Sequence, residues 1–128
     1  MTKIVKKSTN LADGVNALIS TANADYTDRN YHNGAGFNEL EDNEKDIMTK
    51  MNDKFVNGWT ISEGSKYIRL RTADYGTWGF VVKKDGDKFK KGDLLKPAGY
   101  DKPATNAPRG NVLKGNFPIN WTGPLYLN

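Results

Sequence analysis

The sequence predicts an α+β fold, with two N-terminal helices packed on a small antiparallel sheet or a partly open β-barrel. Apolar residues recur at helical spacing over residues 1–57, and from Trp59 onward their period changes from 3.6 to 2. Short segments of the second kind are separated by turn residues, which is typical of small sheets. The 128 residues fit one domain, made of a helical part (1–57) and a β-rich part (58–128).

The helical part begins with a basic segment, residues 1–9, that we expect to form an arm or a first strand around Ile4 and Val5. Asn10 is placed to cap a first helix, whose apolar residues share one face: Leu11, Val15, Leu18 and Ile19. Residues 23–36 are rich in Asn, Asp and Gly and include two tyrosines. This segment is longer than most connections, so we predict a functional or mobile loop.

A second helix is predicted over residues 38–57. Asn38 and Glu41 have the spacing of a capping box, in which each side chain satisfies a free backbone N–H group. Acidic residues crowd the first turn and lysines the last, as the helix dipole favours. One apolar stripe is expected to face the core, and it consists of Leu40, Ile47, Met51 and Phe55. Gly58 is suited to a left-handed C-terminal cap.

The β-rich part is predicted to contain several short strands, with Trp59, Trp78, Phe80 and Trp121 in the core. Residues 84–87, Lys-Asp-Gly-Asp, are typical of a type I′ hairpin turn. Residues 97–111 contain three prolines and two glycines, which predicts a loop with little strand pairing. The predicted strands are 59–62, 66–72, 77–83, 88–90 with 93–96, 112–114, 119–121 and 125–127.

Composition excludes several classes of protein. The chain has no cysteine, so disulfide scaffolds, thiolate zinc sites and thiol nucleophiles are excluded. It has no apolar run of about 18 residues and no secretory signal, and we expect a cytoplasmic protein without a membrane partner. The Asp85-Gly-Asp87 segment lacks a calcium ligand at Phe89, and the glycines at Gly110 and Gly115 precede no Lys-Ser/Thr pair. We therefore predict no metal site and no cofactor.

Charge is distributed unevenly. Residues 1–57 carry 7 Lys/Arg and 9 Asp/Glu, whereas residues 58–128 carry 12 Lys/Arg and 6 Asp/Glu, within a net charge of +4. Such an asymmetry creates a directional field that attracts anionic partners. A charge that serves solubility alone is the competing interpretation.

Basic and aromatic side chains alternate on the predicted strands of the β-rich part. Cations on neighbouring strands can contact a phosphate backbone, while tyrosine rings stack on bases. Arginine pairs suit phosphate or carboxylate recognition because the guanidinium is planar and forked. We therefore predict a non-enzymatic protein that binds nucleic acid, although the same cations could instead solvate one face of the sheet. The candidate residues are Tyr67, Arg69, Arg71, Tyr75, Lys83, Lys84, Lys88, Lys90 and Lys91.

Two other functions stay open. The protein could be an effector that docks on a host protein through its basic face or through residues 23–36. It could also be a small ribonuclease, with His32 as general acid and a carboxylate (Glu39 or Glu41) as base beside the strand arginines. His32 lies in a polar segment without a strand to orient it, so we assign no catalytic residue.

The second half of the chain, about residues 66–128, carries a set of distinctive segments. They are Lys66-Tyr-Ile-Arg-Leu, Trp78-Gly-Phe-Val-Val, Phe89-Lys-Lys-Gly-Asp-Leu-Leu-Lys-Pro-Ala-Gly, Ala107-Pro-Arg-Gly-Asn and Trp121-Thr-Gly-Pro-Leu-Tyr-Leu. This half resembles the C-terminal region of small bacteriophage-encoded proteins of unassigned function. The resemblance implies a place in the infected bacterial cytoplasm or the virion, and a role in binding nucleic acid or inhibiting a host protein. It transfers no functional residue.

Overall fold

A computed structural model describes residues 3–30, 41–99 and 101–125. Within these residues, two helices and seven strands form an α+β fold, as predicted, with two antiparallel sheets rather than one. The three-stranded sheet has the order β1-β6-β7 and the four-stranded sheet the order β2-β3-β4-β5, and neither forms a closed barrel. In chain order the elements are β1 (Lys3–Val5), α1 (Leu11–Asn30), α2 (Asp42–Asn57), β2 (Thr60–Glu63), β3 (Tyr67–Thr72), β4 (Gly76–Val82), β5 (Leu94–Leu95), β6 (Phe117–Asn120) and β7 (Gly123–Pro124).

Helix α1 begins after the predicted cap, because the Asn10 side-chain oxygen accepts the backbone N–H of Asp13 at 2.8 Å. The helix continues to Asn30, so the predicted loop at 23–36 is wrong for residues 23–30, while residues 31–36 lie outside the described residues. Tertiary contacts explain the extra turns. The Asn23 side chain accepts the indole N–H of Trp59 at 2.8 Å, and the Tyr26 ring stacks on a core phenylalanine.

Helix α2 begins at Asp42, and its capping box joins Glu41 to Glu44. The predicted cap at Asn38 and the first stripe residue, Leu40, lie outside the described residues. Of the predicted apolar stripe, Phe55 is buried. Ile47 and Met51 are 55% and 47% exposed, so the expectation that they face the core is wrong. The C-cap glycine, Gly58, has φ −98°, which is not the left-handed cap that we expected.

The helix is held mainly near its C-terminal end. The side-chain oxygen of Asn52 accepts the hydroxyl of Thr27 at 2.7 Å, and Lys54 forms an ion pair with Asp74 at 3.0 Å. Phe55 packs between Tyr26 of α1 and aromatic residues of the β-rich part. The two N-terminal turns of α2 bury no residue.

Strand β3 alternates between two environments, as the sequence predicts. Ile68, Leu70 and Thr72 are buried, and the two apolar side chains join the main core with α1. Their neighbours Tyr67, Arg69 and Arg71 project from the opposite face and are half-buried. This second face carries a smaller apolar cluster, formed by Phe80, Val82, Phe89 and Leu95.

The tryptophan prediction holds in part. Trp78 and Phe80 are buried, whereas Trp59 and Trp121 are half-buried at the border of the core.

The predicted type I′ turn at 84–87 and the first segment of the return strand, 88–90, are wrong, whereas the second segment, 93–96, is confirmed by β5, which pairs antiparallel with β4. Gly86 does not adopt the positive φ that a type I′ turn requires, and the return strand shortens to Leu94–Leu95. The physical reason is Phe89, which is 9% exposed and packs on the second face of the sheet. Residues 83–93 therefore form a wide loop that returns to β4, where the backbone N–H of Gly92 donates to the carbonyl of Val82 at 2.8 Å.

The loop prediction for residues 97–111 is confirmed for the described part of this range, 97–99 and 101–111, which forms isolated bridges but no strand. The predicted strand at 112–114 is wrong: the residues form a turn, in which the side-chain oxygen of Asn111 accepts the N–H groups of Leu113 and Lys114. The predicted strand at 119–121 corresponds to β6. Strand β7 ends directly before the last predicted strand, 125–127, of which residues 126 and 127 lie outside the described residues.

Candidate nucleic-acid interface

A loop with five lysines and three aspartates joins β4 to β5, and we call residues 83–93 the lysine loop. Four of its lysines are exposed, and none of the four forms an ion pair with any described residue: Lys84, Lys88, Lys90 and Lys91. The ammonium group of Lys88 lies 5.7 Å from the centroid of the Phe89 ring. These four side chains are available to an anionic partner.

Hydrogen bonds hold the backbone of the lysine loop in place. The Asp85 carboxylate accepts the N–H of Lys91 at 2.8 Å, and the buried Asp93 carboxylate accepts the N–H of Lys90 at 2.8 Å. The amide group of Asn111 donates both to Asp93, at 3.0 Å, and to the carbonyl of Lys91, at 2.9 Å. Because the backbone is already ordered, little entropy is lost there when a ligand binds.

The β2–β3 turn, residues 63–66, lies beside the base of the lysine loop. Lys83 connects the two: its backbone N–H donates to the carbonyl of Lys66 at 3.0 Å, and its ammonium group donates to the carbonyl of Gly64 at 3.0 Å. Lys83 also forms an ion pair with Glu63 at 3.2 Å. Lys83 is therefore engaged within the protein, while the exposed Lys66 joins the four free lysines.

A second extension runs from the lysine loop toward the N-terminus. The turn at residues 111–115 lies against Gly92 on one side, where the N–H of Val112 donates to its carbonyl at 2.9 Å. On the other side the N–H of Ser8 donates to the carbonyl of Leu113 at 3.3 Å. Three further exposed lysines flank this turn, and none forms an ion pair with a described residue: Lys6, Lys7 and Lys114. Sequence order conceals this grouping, because more than 100 positions separate the first two from the third.

A cleft of about 370 Å³ opens between the β2–β3 turn and the loop that follows β5. Tyr67 and Phe80 contribute aromatic rings to it, with centroids 6.0 Å apart in an edge-to-face arrangement. Arg69 and Asp101 form an ion pair on its wall, and the Arg69 side chain is 24% exposed. The arginine is thus held by a carboxylate of the basic half.

The other two predicted site residues lie away from this end of the sheet. Arg71 is half-buried in mid-sheet, between its strand partners Thr60 and Thr77. Tyr75 lies at the β3–β4 turn, which the length of β4 separates from the lysine loop by roughly 20 Å. The structure therefore groups Tyr67, Arg69 and the five predicted lysines, and it places Tyr75 elsewhere.

Tyr75 belongs to an aromatic cluster that joins both helices to the β-rich part. Its members are Tyr26, Phe55, Trp59, Tyr75 and Trp121. Tyr26 stacks on Phe55 with ring centroids 4.1 Å apart, and Trp121 meets Tyr26 and Tyr75 edge-on at 5.0 Å. A side-chain hydrogen bond with Tyr26, together with partial burial, raises the pKa of Tyr75 above its ordinary value. Although 55% exposed, Tyr75 is thus partly committed to contacts within the protein.

Two further cations of the basic half serve the fold. The Lys96 ammonium group donates to the carbonyl of Pro124 at 2.8 Å, and burial together with the nearby Arg109 lowers the pKa of Lys96. The Arg109 guanidinium donates to the side-chain oxygen of Asn106 at 3.2 Å and to the carbonyl of Ala107 at 2.9 Å. Neither side chain belongs to the exposed lysine group.

The catalytic alternative has no described geometry, because His32 and Glu39 lie outside the described residues. Within residues 3–30, 41–99 and 101–125, no three His, Cys, Asp or Glu side chains come together as metal ligands would. The helices of this part are also too short or too polar to cross a membrane.

Comparison with protein-family models, with curated proteins and with solved structures gives no match for this chain.

Proposed function

We propose that the protein binds nucleic acid, without catalysing a reaction, through one basic surface. We define this basic surface as the exposed lysines of the lysine loop, the β2–β3 turn and the 111–115 turn: Lys66, Lys84, Lys88, Lys90, Lys91 and Lys114, with Lys7 beside them. The observation that carries the proposal is the set of four exposed lysines on a loop of fixed backbone, free of ion pairs with described residues.

The pairing of charges differs between the two parts of the chain. Cations on the helices lie against nearby carboxylates, and the pairs are Arg29 with Asp25, Lys50 with Asp46 and Lys54 with Asp74. In the lysine loop, two of the three aspartates instead accept backbone N–H groups, and the neighbouring ammonium groups stay in solvent. A row of such ammonium groups suits a chain of phosphates, because each contact releases condensed counterions.

Salt dependence tests the proposal. Affinity for a fluorescently labelled oligonucleotide, measured by anisotropy from about 50 mM salt upward, should fall with a log–log slope of about 3 or steeper if four phosphates are contacted. Replacing Lys88 and Lys90 by Gln should lower that slope by about 1.5. Lys50→Gln is the matched control, since Lys50 is an exposed lysine of α2 paired with Asp46, and it should leave the slope unchanged.

Either of two results would contradict the proposal: no measurable binding at about 50 mM salt, or an affinity that does not change with salt. If the double variant keeps the slope of the parent protein, the lysine loop does not contact the phosphates.

A second candidate function is an effector that binds a host protein, and the exposed Ile47 and Met51 of α2 favour it. A pull-down from bacterial lysate with and without nuclease separates the two functions. Capture of one host protein that survives nuclease, and that Ile47→Glu with Met51→Glu abolishes, would support the effector. Capture that nuclease abolishes would support nucleic acid. The phage origin, and with it the host cytoplasm or the virion, stays a prediction of the sequence resemblance.

A further inference from the structure

The cleft beside the basic surface differs chemically from the lysines that surround it. Its two carboxylates are each matched by a cation, Glu63 by Lys83 and Asp101 by Arg69. The interior is therefore close to neutral in charge, while the exposed Lys66 lies at its edge. Phosphate groups are attracted to the exposed lysines, and a neutral group fits the interior better.

The size of the cleft limits what can enter it. At about 370 Å³ it lies at the small end of the range for ligand pockets, about 300–1,000 Å³. Such a volume is large enough for a single base.

The lining supplies the two interactions that hold a base. The half-buried ring of Tyr67, which packs edge-on against the buried ring of Phe80, provides the aromatic surface for stacking. The carboxylates of Glu63 and Asp101, the Arg69 guanidinium and the Ser62 hydroxyl provide acceptors and donors for the edge of a base.

We propose that the cleft receives one unpaired base, and hence that the nucleic acid bound by this protein is single-stranded. The inference rests on the proposed function and names its substrate class. In a duplex the bases are stacked and their pairing edges are occupied, so none can enter a cleft of this size without being flipped out at a cost. In a single strand the base is free to turn inward while the flanking phosphates stay on the exposed lysines.

The test compares probes of equal length on the unmodified protein, and the two single-stranded probes also carry equal charge. The probes are a single-stranded DNA of about 12 nucleotides, the same strand in a duplex, and a strand of the same length made of abasic sites. The intact single strand should bind at least about tenfold more tightly than the abasic strand, which corresponds to about 1.4 kcal/mol, and more tightly than the duplex.

Two failures are distinguishable. Equal affinity for the intact and abasic strands, or for single strand and duplex, would overturn the cleft inference while the phosphate contacts of the proposed function remain. Absence of binding to all three probes would overturn both.

A pair of tyrosine variants locates the base. Tyr67→Leu should weaken single-strand binding about tenfold and leave the salt slope unchanged, because a stacking contact releases no counterion. Tyr75→Leu, at the far end of the same hairpin, should leave the affinity unchanged. A Tyr67→Leu variant that is folded by circular dichroism and binds as well as the parent would overturn the inference; if that variant does not fold, the abasic comparison decides alone.

Discussion

Asp25 joins helix α1 to the β6–β7 turn through a carboxylate that is almost completely buried. Its side chain is 2% exposed, and one oxygen accepts the backbone N–H of Trp121 at 2.8 Å. The Arg29 guanidinium, one helical turn later, donates to the same carboxylate at 3.2 Å. Replacing Asp25 by Ala removes both acceptors and leaves the Trp121 N–H without its protein partner.

The expected cost follows from these contacts. A hydrogen bond to a charged group contributes about 1.5–3 kcal/mol, and a buried donor left unsatisfied costs about 1–3 kcal/mol. The Arg29 side chain is 43% exposed, so its charge is hydrated when Asp25 is replaced. The variant therefore does not carry the additional cost of an unpaired buried ion. We expect Asp25→Ala to lower the free energy of unfolding by about 2–4 kcal/mol, and the Tm by about 10 °C for a chain of this length.

Urea unfolding followed by far-ultraviolet circular dichroism measures the loss. Asp28→Ala is the matched control, because Asp28 lies on the same helix with a 51% exposed side chain in an ion pair with Lys3, worth about 1 kcal/mol or less. Asp25→Asn keeps an oxygen that can accept the Trp121 N–H, so its loss in the free energy of unfolding should lie between those of Asp28→Ala and Asp25→Ala. If Asp25→Ala and Asp28→Ala lose the same free energy, the buried carboxylate does not join the two elements as we argue.

Three further predictions follow from close contacts. Gly14→Ala would place a Cβ 2.6 Å from the Val112 side chain. We therefore expect the free energy of unfolding, measured in urea, to fall by about 1–3 kcal/mol, although Ala has the better helix propensity. A higher free energy of unfolding would show that α1 can shift to make room. Gly92→Ala, at φ +92° with a side-chain oxygen 2.8 Å away, should destabilise the lysine loop and speed its amide hydrogen exchange; unchanged exchange would contradict this. The hydrogen bond with Tyr26, and to a smaller extent burial, raise the pKa of Tyr75 above 10.0. The neutral phenol therefore stabilises the fold below pH 10, and this stability is lost as the pH rises through the raised pKa. Tyr26→Phe should lower the pKa of Tyr75, followed in an ultraviolet titration as the difference from Tyr75→Phe, and an unchanged pKa would refute the contact.

Local signals in the sequence predicted those elements whose causes are local. Asn10 as a cap and the alternation along β3 depend on residues a few positions apart. Residues 23–30 have a loop-like composition, yet they are helical because Asn23 and Tyr26 contact Trp59 and Phe55, more than 25 positions away. The residues of the segment alone therefore do not predict that it is helical.

The candidate site was predictable in the same limited sense. Its lysines are visible in the sequence, but the ion pairs that occupy Arg69 and Lys83 come from Asp101 and Glu63. The turn prediction at 84–87 failed because Asp-Gly favours a tight turn locally, whereas burial of Phe89 requires a wider one.

The aromatic cluster also decides how ligand binding can be observed. All three tryptophans lie in it or against it, with Trp59 and Trp78 at 5.8 Å between ring centroids, and the Trp78 indole N–H donating to the carbonyl of Trp121 at 2.8 Å. Intrinsic emission therefore reports on the junction of helices and sheet. An oligonucleotide held at the lysine loop would leave that emission nearly constant, so a fluorescent label on the ligand is the appropriate optical probe.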